Sequence, residues 1–231
     1  MSLAVREVFD ERCVEISTYL ELITEMDQDP IATPTATLRL NTLKGGAYLL
    51  LYNLIESTLT LACRNLEDAI NNEAIHDQAL TPTRLTPELR REWQKMRRRV
   101  IKSRLEETLW VEIEDEFDYQ EWAGLPFQIE IGGGGNFAAR EINLLLKRLG
   151  LNFPADRTTA EFTDGPEDMS ISFRIKDVRN RLAHGNSGFA QIGKDVSAKQ
   201  LDSEFKVTQY YLNRLLFEFE KFVARRNYVR A

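Results

Sequence analysis

Ile171-Ser172-Phe173-Arg174-Ile175-Lys176-Asp177-Val178-Arg179-Asn180-Arg181-Leu182-Ala183-His184-Gly185-Asn186 is the stretch on which the rest of this chain turns. Ile171, Ile175, Val178 and Leu182 recur at the spacing of one buried helical stripe, which predicts an amphipathic helix. At about 100° per residue, Asn180 and His184 share a face roughly opposite that stripe. Arg179 lies about 140° around from His184, so a straight helix turns the two side chains apart. For both to act on one phosphate, the helix must end at His184, or a second copy must supply the missing half.

The residue types narrow the chemistry. Histidine exchanges protons near neutral pH without special tuning, and the chain has only two. Arginine is a permanently charged fork that matches phosphate oxygens. Asn180, one turn before His184, is placed to fix the ring or hold a phosphate. Together they suit cleavage of a phosphodiester by its neighbouring 2′-hydroxyl, a reaction that needs proton transfer and charge stabilisation but no metal. The same residues also make an ordinary helix ending, with Gly185 at C′ and Arg179 and Arg181 favoured by the dipole.

Arg179-Asn180, three residues and His184 resemble the RxxxxH signature of the HEPN superfamily. Further segments are similar in the same order: Tyr52-Asn53-Leu54-Ile55-Glu56-Ser57, Gly135-Asn136 leading into a helix, and Leu182-Ala183-His184-Gly185-Asn186 before a loop and a long terminal helix. The similarity covers most of the chain, and 76–131 is matched least. It implies an all-α, HEPN-like helical bundle in which 1–231 form one domain, with 76–135 an insertion that has room for a short β-hairpin. It also implies a metal-independent, cofactor-free endoribonuclease working as a homodimer, with two motifs facing each other across a cleft. In that scheme His184 is the general base or acid, Arg179 stabilises the phosphorane-like charge and Asn180 positions. Glu56, supported by Asn53, would orient His184 or Arg179 from a neighbouring helix. Arg181, Arg97, Arg98 and Lys102 are candidates to hold the RNA backbone. The expected products carry a 2′,3′-cyclic phosphate and a 5′-hydroxyl. A toxin or defence role follows from the bacterial branch resembled, with an antitoxin or other regulatory protein as a further partner. Two rivals stay open: a non-catalytic HEPN domain that binds RNA, a nucleotide or a protein, and a helical scaffold whose motif is only a cap.

Composition sets bounds on these readings. With 231 residues, 43% apolar and 29% charged, the chain has the profile of a soluble globular protein. Its apolar runs are too short for a bilayer and its N-terminus lacks a signal pattern, so a cytoplasmic protein with no membrane contact is expected. Cys13 and Cys63 are the only cysteines, which suggests neither a disulfide framework nor a zinc site. A net charge of −6 argues against uniform polyanion binding, so any RNA contact must be local. Between Arg90 and Arg104 eight basic residues face Glu92 alone, either as an RNA patch or as a solvated face.

Elsewhere the periodicity predicts helices over 2–26, with Phe9, Cys13, Ile16, Leu20 and Ile23 inside, and over 38–70, apolar around much of its circumference. Gly45-Gly46 marks a kink or a close helix contact. Asn53, Glu56, Thr60 and Arg64 form a polar strip, in isolation a solvated face. Thr86 and Pro87 open the basic helix. Val111–Glu114 and Phe127–Ile131 alternate like short strands. The four glycines at 132–135 read as a connector before an Asn136 N-cap and a helix over 137–149, closed by Gly150. Loops are expected over 152–165 and 185–196, and Pro166 is expected to open the motif helix. Ser197 to Gln200 reads as a capping box for the last helix. That helix carries Leu201, Phe205, Thr208, Leu212, Leu215, Phe219 and Phe222 on one stripe, with Tyr210, Tyr211, Phe217 and Tyr228 off it.

Overall fold

The computed structural model describes residues 3–28, 33–76, 80–107, 126–131, 137–153, 157–163 and 170–230. These form helices α1 (Leu3–Gln28), α2 (Pro34–His76), α3 (Pro87–Glu107), α4 (Ala139–Leu149), α5 (Arg157–Thr163), α6 (Ile171–Ala183), α7 (Phe189–Lys194) and α8 (Ala198–Ala224), with a 3₁₀ turn at Pro82–Arg84. The fold is all-α, and among the described residues there is no strand beyond an isolated Leu85–Val229 bridge.

Helix α2 is the axis. It runs 43 residues without interruption, about 65 Å at 1.5 Å per residue. Tyr48, Leu51, Tyr52, Ile55, Leu59, Cys63, Leu66 and Ile70 are fully buried along it. A helix buried on so many sides must be covered on each. Helix α1 lies antiparallel on one flank: Tyr19 donates to the Leu43 carbonyl, whereas Arg12 and Ile16, earlier on α1, meet Leu54 and Leu61, later on α2. The expected α1 stripe is buried from Phe9 to Ile23. Helix α8 buries its whole expected stripe and also inserts Tyr211 between Phe153 and Phe162. Tyr228 is buried too, while Tyr210 and Phe217 remain on the surface. The Ser197 hydroxyl caps α8 by accepting from Gln200 N–H, but the Gln200 side chain donates to Glu204 instead of closing the box.

The paired glycines mark close helix contacts: Gly45 admits α7, and Gly46 lies against Tyr19 of α1. A Cβ on Gly45 would sit inside the Phe189 carbonyl, and one on Gly193 would sit inside the Asn41 carbonyl. Helix α7 therefore meets α2 backbone to backbone, where a loop was expected over 185–196. A second short helix, α5, replaces part of the expected 152–165 loop because Phe162 packs face to face on Tyr211 at 4.2 Å.

Two helix starts also differ. Helix α4 begins at Ala139, not Phe137: Phe137 is buried, Glu141 accepts the Ala138 N–H, and Ser172 Oγ accepts the Ala139 N–H. The cap is thus tertiary, and Asn136 lies outside the described residues. Helix α6 begins at Ile171 behind a Ser170 N-cap that accepts from Phe173 N–H. The expected start at Pro166 lies outside the described residues, as does Val111–Glu114.

Phe127–Ile131 buries Phe127 and Ile129 as the alternation required, yet it forms no strand. Its backbone is bound by α2 side chains: Asn71 takes the Phe127 N–H and donates to its carbonyl, and Glu67 takes the Ile129 N–H. No described helix is long and apolar enough to cross a membrane.

Candidate functional site

Helix α6 ends in a Schellman motif. The Asn186 N–H reaches back to the Arg181 carbonyl at 2.8 Å, and the Gly185 N–H to the Leu182 carbonyl at 3.2 Å. Gly185 carries φ +69°, the left-handed conformation that this ending needs. Arg181 folds onto the turn, donating to Ser187 Oγ from Nε and Nη2. It also lies 3.8 Å from Asp177. The cap reading of the motif is therefore correct as local structure. It does not account for His184 itself, which is the C-cap residue, exposed, with no side-chain hydrogen bond among the described residues.

Arg179 lies against the axis helix α2. Its guanidinium lies over the Tyr52 ring, 4.7 Å from the centroid, and Nη1 donates to Asn180 Oδ1 at 3.0 Å. The fork is fixed from two sides and half-buried, so little side-chain entropy remains to be lost on gripping an anion. Tyr52 is fully buried and its hydroxyl accepts from the Phe137 N–H at 3.4 Å. Burial pushes the Tyr52 hydroxyl up, nearby Glu56 pushes it further, and Arg179 opposes them less strongly, so the ring stays neutral beneath the cation.

Helix α2 thus does pass beside the motif helix, through Tyr52, with Glu56 one turn along and half-buried. Asn53 and Glu56 line an open cleft of about 540 Å³ between α1 and α2. The periodicity treated Tyr52 only as part of an apolar helix; its signal was an aromatic residue on the helix that the motif had to pack against.

The basic stretch on α3 is not brought to this site. Lys95 and Arg99 both pair with Glu130, tying down the 126–131 segment. Arg97 is 5.7 Å from the Trp93 centroid, and Arg98 is exposed. Lys102 lies on the helix, but its side chain is outside the described residues. Arg148, on α4, pairs with the buried carboxylate of Glu92. The 126–131 segment meets α2 at Glu67 and Asn71, and Glu67 lies about 22 Å along the axis from Tyr52. Within one chain, then, the described residues bring Arg179, Asn180 and Tyr52 together, with Glu56 near enough to act on the Tyr52 hydroxyl, leave His184 at the exposed end of the same helix, and set the α3 patch apart.

A family model described as HEPN-like matches residues 1–228. No curated protein and no solved structure gives a significant match.

Proposed function

The chain belongs to the HEPN family, and from that premise we propose that it is a metal-independent endoribonuclease whose site is completed by a second copy. The observation that carries this reading is the contrast at the two ends of the motif. Arg179 is pre-oriented on Tyr52 and Asn180, whereas His184 is exposed and unengaged. One chain does not converge them, and two facing copies supply both groups to one strand.

In the reaction, a His184 imidazole takes the 2′-hydroxyl proton as that oxygen attacks phosphorus. The P–O2′ bond forms, the P–O5′ bond breaks, and the departing 5′-oxygen takes its proton from water. The products are a 2′,3′-cyclic phosphate and a 5′-hydroxyl. Arg179 neutralises charge building on the non-bridging oxygens, and Asn180 keeps its fork in place. Arg181, Arg97, Arg98 and Lys102 serve the backbone further out. The setting we favour is cytoplasmic, as a toxin or defence effector restrained by a regulatory protein.

The test is incubation of the pure protein with RNA in excess chelator, followed by end-group analysis. Cleavage with cyclic-phosphate ends, lost in both His184→Ala and Arg179→Ala, is expected. Intact RNA at every protein concentration would remove the reading. The net charge of −6 favours the alternative of a non-catalytic HEPN domain that binds RNA, a nucleotide or a protein; it predicts binding without cleavage.

A further inference from the structure

The cleft between α1 and α2 has an unusual lining for a solvated groove. Arg12 stands on one wall and Arg64 on the other, with Glu15, Asn53, Glu56 and Thr60 between them. No ion pair engages Arg12 or Arg64 among the described residues, although Glu15 and Glu56 share the cleft. Arg12 is half-buried and Arg64 exposed, and a guanidinium left without a carboxylate is open to an anion from outside.

Position says which anion. Asn53 follows Tyr52 directly, and Glu56 belongs both to the cleft and to the field around Tyr52. From Asn53 to Arg64 the axis helix rises about 16 Å. The cleft therefore starts beside the residue that holds Arg179 and leads away from it.

We propose that this cleft is the track of single-stranded RNA leaving the Arg179–His184 site, with Arg12 and Arg64 holding backbone phosphates and Glu15 and Glu56 accepting from ribose or base N–H and O–H donors. The proposal deepens the nuclease reading and rests on it. No aromatic side chain lines the cleft, so base stacking contributes nothing there and sequence preference is weak.

The experiment measures binding, which is separable from cleavage. A fluorescent RNA oligonucleotide, 2′-O-methylated at every position so that it cannot be cut, is titrated into the full chain over a salt series. Arg12→Ala and Arg64→Ala are each expected to weaken binding about tenfold, and the double variant to lower the salt slope by roughly 1.4, at about 0.7 per phosphate contact on a single strand. Arg64→Lys should restore part of the affinity. Lys206→Ala, on an exposed α8 lysine paired with Asp202, serves as the control and should bind as the unaltered chain does. Unchanged affinity and slope in the double variant would overturn the cleft while leaving the nuclease reading intact. No binding by the unaltered chain would overturn it equally. Loss of binding in the double variant of a protein that never cuts RNA would keep the cleft and remove the nuclease.

Discussion

The Arg179 guanidinium rests 4.7 Å from the centre of the fully buried Tyr52 ring, joining the motif helix to the axis of the bundle. A desolvated contact of this kind is worth about 2 kcal/mol, enough to fix where the fork points. Tyr52→Phe keeps the ring and loses only the long hydroxyl contact to Phe137, so activity should stay within a few-fold, at a stability cost of about 1 kcal/mol. Tyr52→Leu removes the ring beneath the cation. RNA cleavage should fall by about tenfold or more in kcat, in a protein whose circular dichroism still shows folded helices.

The α2–α7 crossing depends on the absence of two Cβ atoms. Gly45→Ala and Gly193→Ala each drive a methyl into a carbonyl of the facing helix, and neither backbone can yield without separating the pair. Each should destabilise by about 1–3 kcal/mol in chemical denaturation. Gly188→Ala, with open space around its Cβ, should change far less.

Gly185 is a conformational requirement and not a packing one: its φ is +69° and nothing lies within 4 Å of where a Cβ would stand. Gly185→Ala should cost about 1 kcal/mol, and Gly185→Asn less, since asparagine visits this region readily. Because the turn carries His184, Gly185→Ala should also slow cleavage. Thermal melting and single-turnover rates measured on the same samples separate the two effects.

Lys95 and Arg99 hold the Glu130 carboxyl below its ordinary value of 4.5. A carboxyl depressed in the folded state contributes stability above its unfolded pKa, and that contribution disappears as pH falls through the folded one. Glu130 is substantially exposed, so the effect is under about 1 kcal/mol. Glu130→Gln should therefore melt slightly below the unaltered chain at pH 7, with the gap closing as the pH drops below about 4.

The long helices could be read from the sequence because each repeats an apolar stripe over many turns. The buried faces of α1 and α8 match the expected residues position by position. The two short helices could not. Arg157–Thr163 offers Phe162 as its lone large apolar residue, and Phe189–Lys194 exists because Gly193 fits against Asn41; both are set by distant partners and not by local period. Phe127–Ile131 announced which side chains go inside but not that Asn71 and Glu67, rather than a second strand, would bind its backbone. At the site, the motif offered Arg179, Asn180 and His184 as candidates, and the wheel set Arg179 and His184 about 140° apart. That Tyr52 carries Arg179 was invisible, since two helices far apart in the chain have to pack before the ring and the guanidinium meet.

The claim on which the account rests is that Arg179 of one copy and His184 of another act on the same phosphate. Subunit mixing tests it directly. Arg179→Ala and His184→Ala proteins, each inactive alone, are unfolded together, refolded as a mixture and assayed on RNA in excess chelator. The account predicts that cleavage reappears in the mixture, because half of the dimers then hold one intact arginine and one intact histidine on opposite chains. A mixture as inactive as its parents, beside an unaltered chain that cuts RNA, would contradict it.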